Sequence, residues 1–238
     1  MNLTNQRLVD ISLPLSAKTY RNNLPQNMTD HFAGRPIGFE IDDMIDRTSQ
    51  FSSGQLVRGV KMRLHAGTHV DAPEHWVEGG AQIQQMPLST YIGEAHVADL
   101  TAHTSTAIRA SDLQNALGEV SLRDKRLLIK TGWNNGFFTL PTKSWKHDSP
   151  YLTTDALEWV IGEGVILVGV DFYHGASEPD VHEDQKFEFK LAKSGVSTLT
   201  NLYHLTELRR NKVFLIALPL ALQGVEAAPV RAVVLEQH

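Results

Sequence analysis

Cysteine is absent from the 238 residues. Disulfides, thiolate metal sites and cysteine nucleophiles are therefore excluded. Basic charge is in short supply too: 22 Lys and Arg stand against 27 Asp and Glu, for a formal net charge of −5. Nucleic-acid binding draws on clustered Lys and Arg, so no nucleic-acid partner is expected. No stretch approaches the roughly 20 apolar residues needed to span a bilayer. The opening MNLTNQRLVDISLPLS has no continuous apolar core of the signal-peptide type. The expectation is a cytoplasmic protein with no membrane partner. No G-x-S-x-G elbow, P-loop or G-x-G-x-x-G stands after a strand, which leaves a serine hydrolase or a nucleotide enzyme without motif support. There is also no internal repeat, low-complexity tract or long linker.

What is present is the composition of a soluble globular protein, 42% apolar and 21% charged, with material for a sizeable core. The length suits one domain over residues 1–238. RLVDISLPLS reads as an early strand, and residues 17–56 as loops with one short helix at most. RGVKMRLH alternates and reads as a strand ending at His65, and EAHVADLT as another strand. RASDLQNALGEV reads as a helix with Ser111 as N-cap and Gly118 near its end. KRLLIKTGW is a short apolar strand. TTDALEWVIGEG repeats the helix pattern with Thr153 or Thr154 as cap, and VILVGVDF follows as a buried strand. EFKLAKSGV suggests a short helix, and KVFLIALPLAL and PVRAVVLEQ two closing strands. The alternation in the middle predicts βαβ crossovers and an α/β fold, a mixed sheet with flanking helices.

The densest chemistry lies at 65–76, HAGTHVDAPEHW, with three of the chain's eleven histidines. A uniform spread would put about half a histidine in such a window. His65 and His69 have helical spacing, but Gly67, the β-branched Thr68 and Val70, and Pro73 argue against a helix. A strand ending near His65, a tight turn at Gly67 and an extended run from Thr68 fit better. In an extended run His69 and Asp71 point to one side, and the turn brings His65 round to them. Two imidazoles and a carboxylate are a normal set of ligands for a divalent metal, and with open positions they suit zinc and manganese alike. Pro73 fixes the exit direction, so His75 leans over the site without having to join it. Ordinary hydrogen bonding near a turn is the alternative, and three His and an Asp so close together weigh against it. A structural zinc site needs four closed ligands and has little purpose in a domain of this size.

The segment HAGTHVDAPEH resembles the H-x-G-T-H-x-D-x-P-x-H signature of the metal-dependent cyclase family, to which bacterial kynurenine formamidases and isatin hydrolases belong. VDISLPLS, LLIKTGW, ILVGVDF and FLIALPLALQGVEAAPVRAVVLE are similar to further strands of that family, so the likeness covers most of the chain. The resemblance implies a swivelling β/α/β-type mixed-sheet domain, a homodimer or homotetramer, and hydrolysis of a C–N bond in an aryl formamide or a cyclic amide. By position it implies that His65, His69 and Asp71 are metal ligands and that His75 transfers the proton. A different reaction on the same site, lactone hydrolysis or a lyase or ring-closing step, is the alternative. A third is a binding protein that keeps only the fold.

The chain departs from the family in its second half. Members with two metals carry a His and a Glu twelve residues apart, the Glu just before an Asn-Leu pair. Here Thr200 precedes Asn201 and Leu202, and Glu188 stands at the His position. Three readings follow: one metal with water completing its shell, a substitute ligand from Glu188 or from His182, or loss of the activity. One metal is expected. For Glu188 the apolar neighbours Leu191 and Ala192 argue for an inward face. The rule that Glu is seldom fully buried unless paired argues for a solvated residue, and that is the expectation. The acidic stretch Glu178, Asp180, Glu183 and Asp184 around His182 reads as a solvated loop. His174, just after VGVDF, stands where α/β proteins place functional groups and is a candidate substrate contact, with a plain surface histidine as the alternative. Phe51, Trp76 and Trp133 are candidates for an aromatic pocket, with core packing as the alternative. His96 and His103 suggest no partner.

Overall fold

A computed structural model of the chain describes residues 6–15, 39–45, 48, 50, 53–136, 149–173, 179, 181–182 and 186–237. Its strands are β1 (Gln6–Asp10), β2 (Phe39–Ile45), β3 (Val57–Met62), β4 (His69–Asp71), β5 (Ile92–Asp99), β6 (Ala107–Ile108), β7 (Arg126–Lys130), β8 (Tyr151–Leu152), β9 (Leu167–Val170), β10 (Ser197–Thr200), β11 (Lys212–Ile216), β12 (Ala227–Pro229) and β13 (Val233–Gln237). Among the described residues the α-helices are α1 (Ala110–Leu117), α2 (Thr154–Gly162) and α3 (Phe187–Lys193). Nine strands make one mixed sheet in the order β1-β13-β11-β5-β7-β9-β10-β4-β12. β5, β7, β9 and β10 run parallel, and among the described residues each crossover carries one α-helix, as the alternation in the sequence predicts. The closing strands β11 and β13 pair antiparallel, and β1 adds to β13 at the edge.

Alternation along the buried strands splits the core in two. In β7, Leu128 belongs to one apolar cluster and Leu127 and Ile129 to the other, which also holds Leu113 of α1, Leu157 of α2 and Leu191 of α3. Val70 of β4 and Leu199 of β10 are fully buried in the first cluster, to which none of the described α-helices contributes. Each contributes about 1.5–3 kcal/mol by burial. Their strand neighbours His69, Asp71, Thr198 and Thr200 therefore point to the helix-bearing side, where α3 lies.

Several boundaries differ from the sequence reading. β3 stops at Met62, and residues 63–68 form turns and bends. Phe39–Ile45 is a strand where loops were expected. It pairs only with β3, in a ribbon separate from the main sheet, so no buried face imposes alternation on it. Ser197–Thr200 is a strand that its polar composition conceals; all four residues are buried. Helix α1 is capped by Arg109 rather than Ser111, which lies in its first turn. The reason is tertiary as well as local. The Arg109 N–H is taken by Asp112 at 2.8 Å and the Ala110 N–H by Asp155 of α2 at 3.0 Å. Gly118 closes that helix and Thr153 caps α2, both as expected. No described helix is long and apolar enough to cross a membrane.

Candidate metal centre

The turn before β4 is built on Gly67, whose φ of +67° lies in the left-handed region. A Cβ there would meet Leu15 Cδ2 at 2.6 Å, so glycine is required on two counts. The turn is locked from across the sheet. Thr68 Oγ1 donates to the Asn201 carbonyl at 2.7 Å and accepts the Leu13 N–H at 2.7 Å. Asn201 Nδ2 donates to the Gly67 carbonyl at 3.0 Å. β4 is flanked on both sides, with Thr200 opposite His69 on β10 and Ala227 opposite Asp71 on β12.

Three donor atoms converge at the front of this strand. His65 Nδ1 lies 3.0 Å from Asp71 Oδ1 and 3.3 Å from His69 Nε2, and the third side of the triangle, His69 Nε2 to Asp71 Oδ1, is 3.4 Å. A cation about 2.0–2.2 Å from each donor, with angles of about 90–110° between them, requires separations of about 2.8–3.6 Å. All three sides fall in that range. Asp71 Oδ1 is buried and, among the described residues, accepts no well-directed hydrogen bond, while Oδ2 takes the Thr198 hydroxyl at 3.0 Å. His69 Nδ1 lies 2.8 Å from the Gly67 carbonyl, which places its proton there and leaves the Nε2 lone pair facing the triangle. A buried carboxylate oxygen without a donor, beside two ring nitrogens, fits a divalent cation.

Electrostatics agree. Burial would raise the Asp71 carboxyl, but the charges of His69, His65 and His75 outweigh it, and its pKa is lowered. Burial pushes the fully enclosed His69 down. For His65 burial also acts downward, yet the carboxylates of Asp71 and Glu226 win and its pKa is raised. His75, in the single turn Pro73–His75, is lowered by burial and so is neutral at neutral pH. Its ring lies 4.3 Å from that of His65 and edge-on to Trp76 at 5.1 Å.

His65, His69 and Asp71 thus come together as predicted, with His75 beside them. Glu188 is the correction. It is buried, 8% exposed, not solvated. It shares the inward face of α3 with Leu191 and Ala192, and the Trp76 indole N–H donates to its carboxyl. Burial pushes that carboxyl up to about 8, and the nearby Asp71 charge pushes in the same direction. Thr200 is also at the site: its hydroxyl sits 3.0 Å from His69 Nε2 and brings no charge. His182 is exposed and joins neither donor group among the described residues. His174, Phe51, Glu178, Asp180, Glu183 and Asp184 lie outside the described residues. Trp76 borders the site, whereas Trp133 packs against the helix-side core. His96 and His103 do find partners, Glu94 at 3.5 Å and the Ala107 carbonyl at 3.0 Å.

Thr198, which holds Asp71, escaped the sequence reading, and so did one carboxylate at the site. Glu226, just before β12, places Oε1 3.0 Å from His65 Nε2. The only local signal is a lone acid between two apolar runs in LQGVEAAPV.

A mixed α/β sheet with two His and an Asp at one end defines a fold with a metal-binding type of site. Residues 9–174 match the model of the family described as putative cyclase, and the chain belongs to that family. It is 30% identical to the kynurenine formamidase of Salinibacter ruber, over 79% of this chain and 83% of that one. It is 26% identical to the kynurenine formamidase of Bacillus cereus, over 95% and 96%. Among solved structures, isatin hydrolase A from Labrenzia aggregata superposes with a TM-score of 0.80 at 20% identity, covering 98% of this chain and 95% of that one.

Proposed function

We propose that the protein is a metal-dependent amidohydrolase that cleaves the C–N bond of an aryl formamide or a cyclic amide. It uses one zinc or manganese ion per chain, held by His65, His69 and Asp71. The donor triangle carries this reading, and the formamidases and isatin hydrolase to which the chain is similar support the substrate class. A divalent ion held by these three side chains would supply acidified water at neutral pH and an electrophile for a carbonyl oxygen. His75 takes the proton released as water adds to the carbonyl carbon. It returns that proton to the amine nitrogen as the C–N bond breaks. A neutral imidazole is the form able to do this, and burial keeps His75 neutral. Asp71 and His69 are held by Thr198 and the Gly67 carbonyl, so they need little reorganisation. Glu188 and Glu226 are further carboxyls at the site.

Metal analysis and a hydrolysis screen on one preparation test the proposal. About one metal per chain and cleavage of an N-formyl arylamine or a cyclic amide are expected. Two tightly held metals contradict the single-ion reading. Hydrolysis of lactones alone, or a lyase product, moves the activity to the alternative reaction, and no metal after reconstitution removes the site. The proposal includes one domain, a cytoplasmic location, checked by fractionation, and a homodimer or homotetramer, checked by light scattering. The β2–β3 ribbon favours assembly, since it exposes Ile41, Met44 and Val60 and an isolated hairpin is marginal in water.

A further inference from the structure

His65 differs from the other two donors. His69 and Asp71 lie on a strand paired on both sides, while His65 lies in the turn before it. The sheet therefore leaves its ring orientation open. An imidazole that binds a metal through one nitrogen must carry its proton on the other. For His65 the nitrogen facing the triangle is Nδ1, and the remote one is Nε2, 3.0 Å from Glu226 Oε1. We propose that Glu226 is a positioning residue that holds the His65 proton on Nε2 and so presents the Nδ1 lone pair to the metal; this rests on the metal-site reading above.

The backbone gives Glu226 the rigidity this role needs. Its carbonyl accepts the Ala72 N–H at 2.8 Å, directly after Asp71, and β12 starts at the next residue. One residue thus ties down the ligand strand through its main chain and the ligand turn through its side chain. A carboxylate on the remote nitrogen also makes the imidazole a stronger ligand. The ring of His75 stacks against His65, and a donor atom of His75 lies within 4.8 Å of both His65 and Glu226. A second metal among these three would need His65 Nε2 to lose its proton, so the Glu226 contact is assigned as a hydrogen bond.

The test compares wild type, Glu226→Gln and Glu226→Ala. Zinc and manganese affinities of each metal-free protein are measured by chelator competition. The His65 tautomer is read from ring 15N shifts. Circular dichroism checks folding, and if the alanine variant does not fold, the glutamine variant carries the test. Wild type should show the Nε2–H tautomer. Glu226→Ala should mix the tautomers and weaken metal binding by about 10–100-fold, with Glu226→Gln between the two. A residue of purely structural importance would lower the melting temperature without moving the tautomer. Affinities within twofold of wild type with an unchanged tautomer would overturn the inference. If wild type itself takes up no metal, the metal-site reading fails, while the tautomer shift still decides whether Glu226 orients His65.

Discussion

Replacing Glu188 by Gln in the metal-free protein is expected to flatten the loss of stability between about pH 5 and about pH 8. The Glu188 carboxyl is enclosed by α3 and Trp76 and faces Asp71, and its pKa stands at about 8 in the fold against an ordinary 4.5. A carboxyl raised on folding contributes its full stability below the lower value and loses it as pH rises through the higher one. At about 1.4 kcal/mol per unit, wild type loses about 3–4 kcal/mol across that interval through this one group. Gln keeps the shape and has no proton to lose. The histidines of the site titrate in both proteins and largely cancel in the difference. Urea unfolding with a chelator present, at several pH values, reads the effect directly. Parallel stability curves for the two proteins would refute the reasoning, because they would mean that the buried carboxyl ionises at no cost. A bound divalent cation reverses the local field. It should draw Glu188 into its ionised form and shrink the difference, and metal affinity should then fall by about 10-fold or more in the variant.

The remaining predictions concern the triad and its turn. His69→Ala should abolish metal binding and activity together. His75→Ala should keep the metal and slow turnover by about 10²–10⁴-fold, measured beside metal content; loss of metal in that variant would make His75 a ligand. Gly67→Ala should cost about 2 kcal/mol or more, from the left-handed backbone and the close approach to Leu15, read as a lowered melting temperature; an unchanged melting temperature would contradict it. Metal uptake should weaken on acidification through the neutral range, since Asp71 and Glu226 raise His65 against its burial and a protonated imidazole competes with the metal; a flat binding profile from about pH 8 to about pH 6 would count against the ligand assignment.

His69 and Asp71 were legible as a pair because a strand puts alternate residues on one side, and that needs only local conformation. The same holds for Gly67, whose turn no larger residue fits, and for the alternation of β5, α1, β7, α2 and β9. Glu188 misled the sequence reading for a physical reason. The rule that carboxylates avoid burial is an average over surfaces, and it gives way where one carboxyl has an indole donor and a metal-type site beside it. The strand at 197–200 was hidden because its Ser and Thr side chains serve the site and not the core: Thr198 holds Asp71 and Thr200 meets His69.

By itself the sequence determined the kind of site: a donor set of the metal-ligand type, on one short segment, in an α/β chain without thiols. The tertiary structure decided what surrounds that segment. His65 and Glu226 lie 161 positions apart and meet because β12 joins the edge of the sheet beside β4. Thr198 faces Asp71 across 127 positions because β10 pairs with β4 in one register. Such partners leave no periodic trace in the chain. They are set by strand order and pairing, which depend on the burial of the whole sheet and not on any local run of residues.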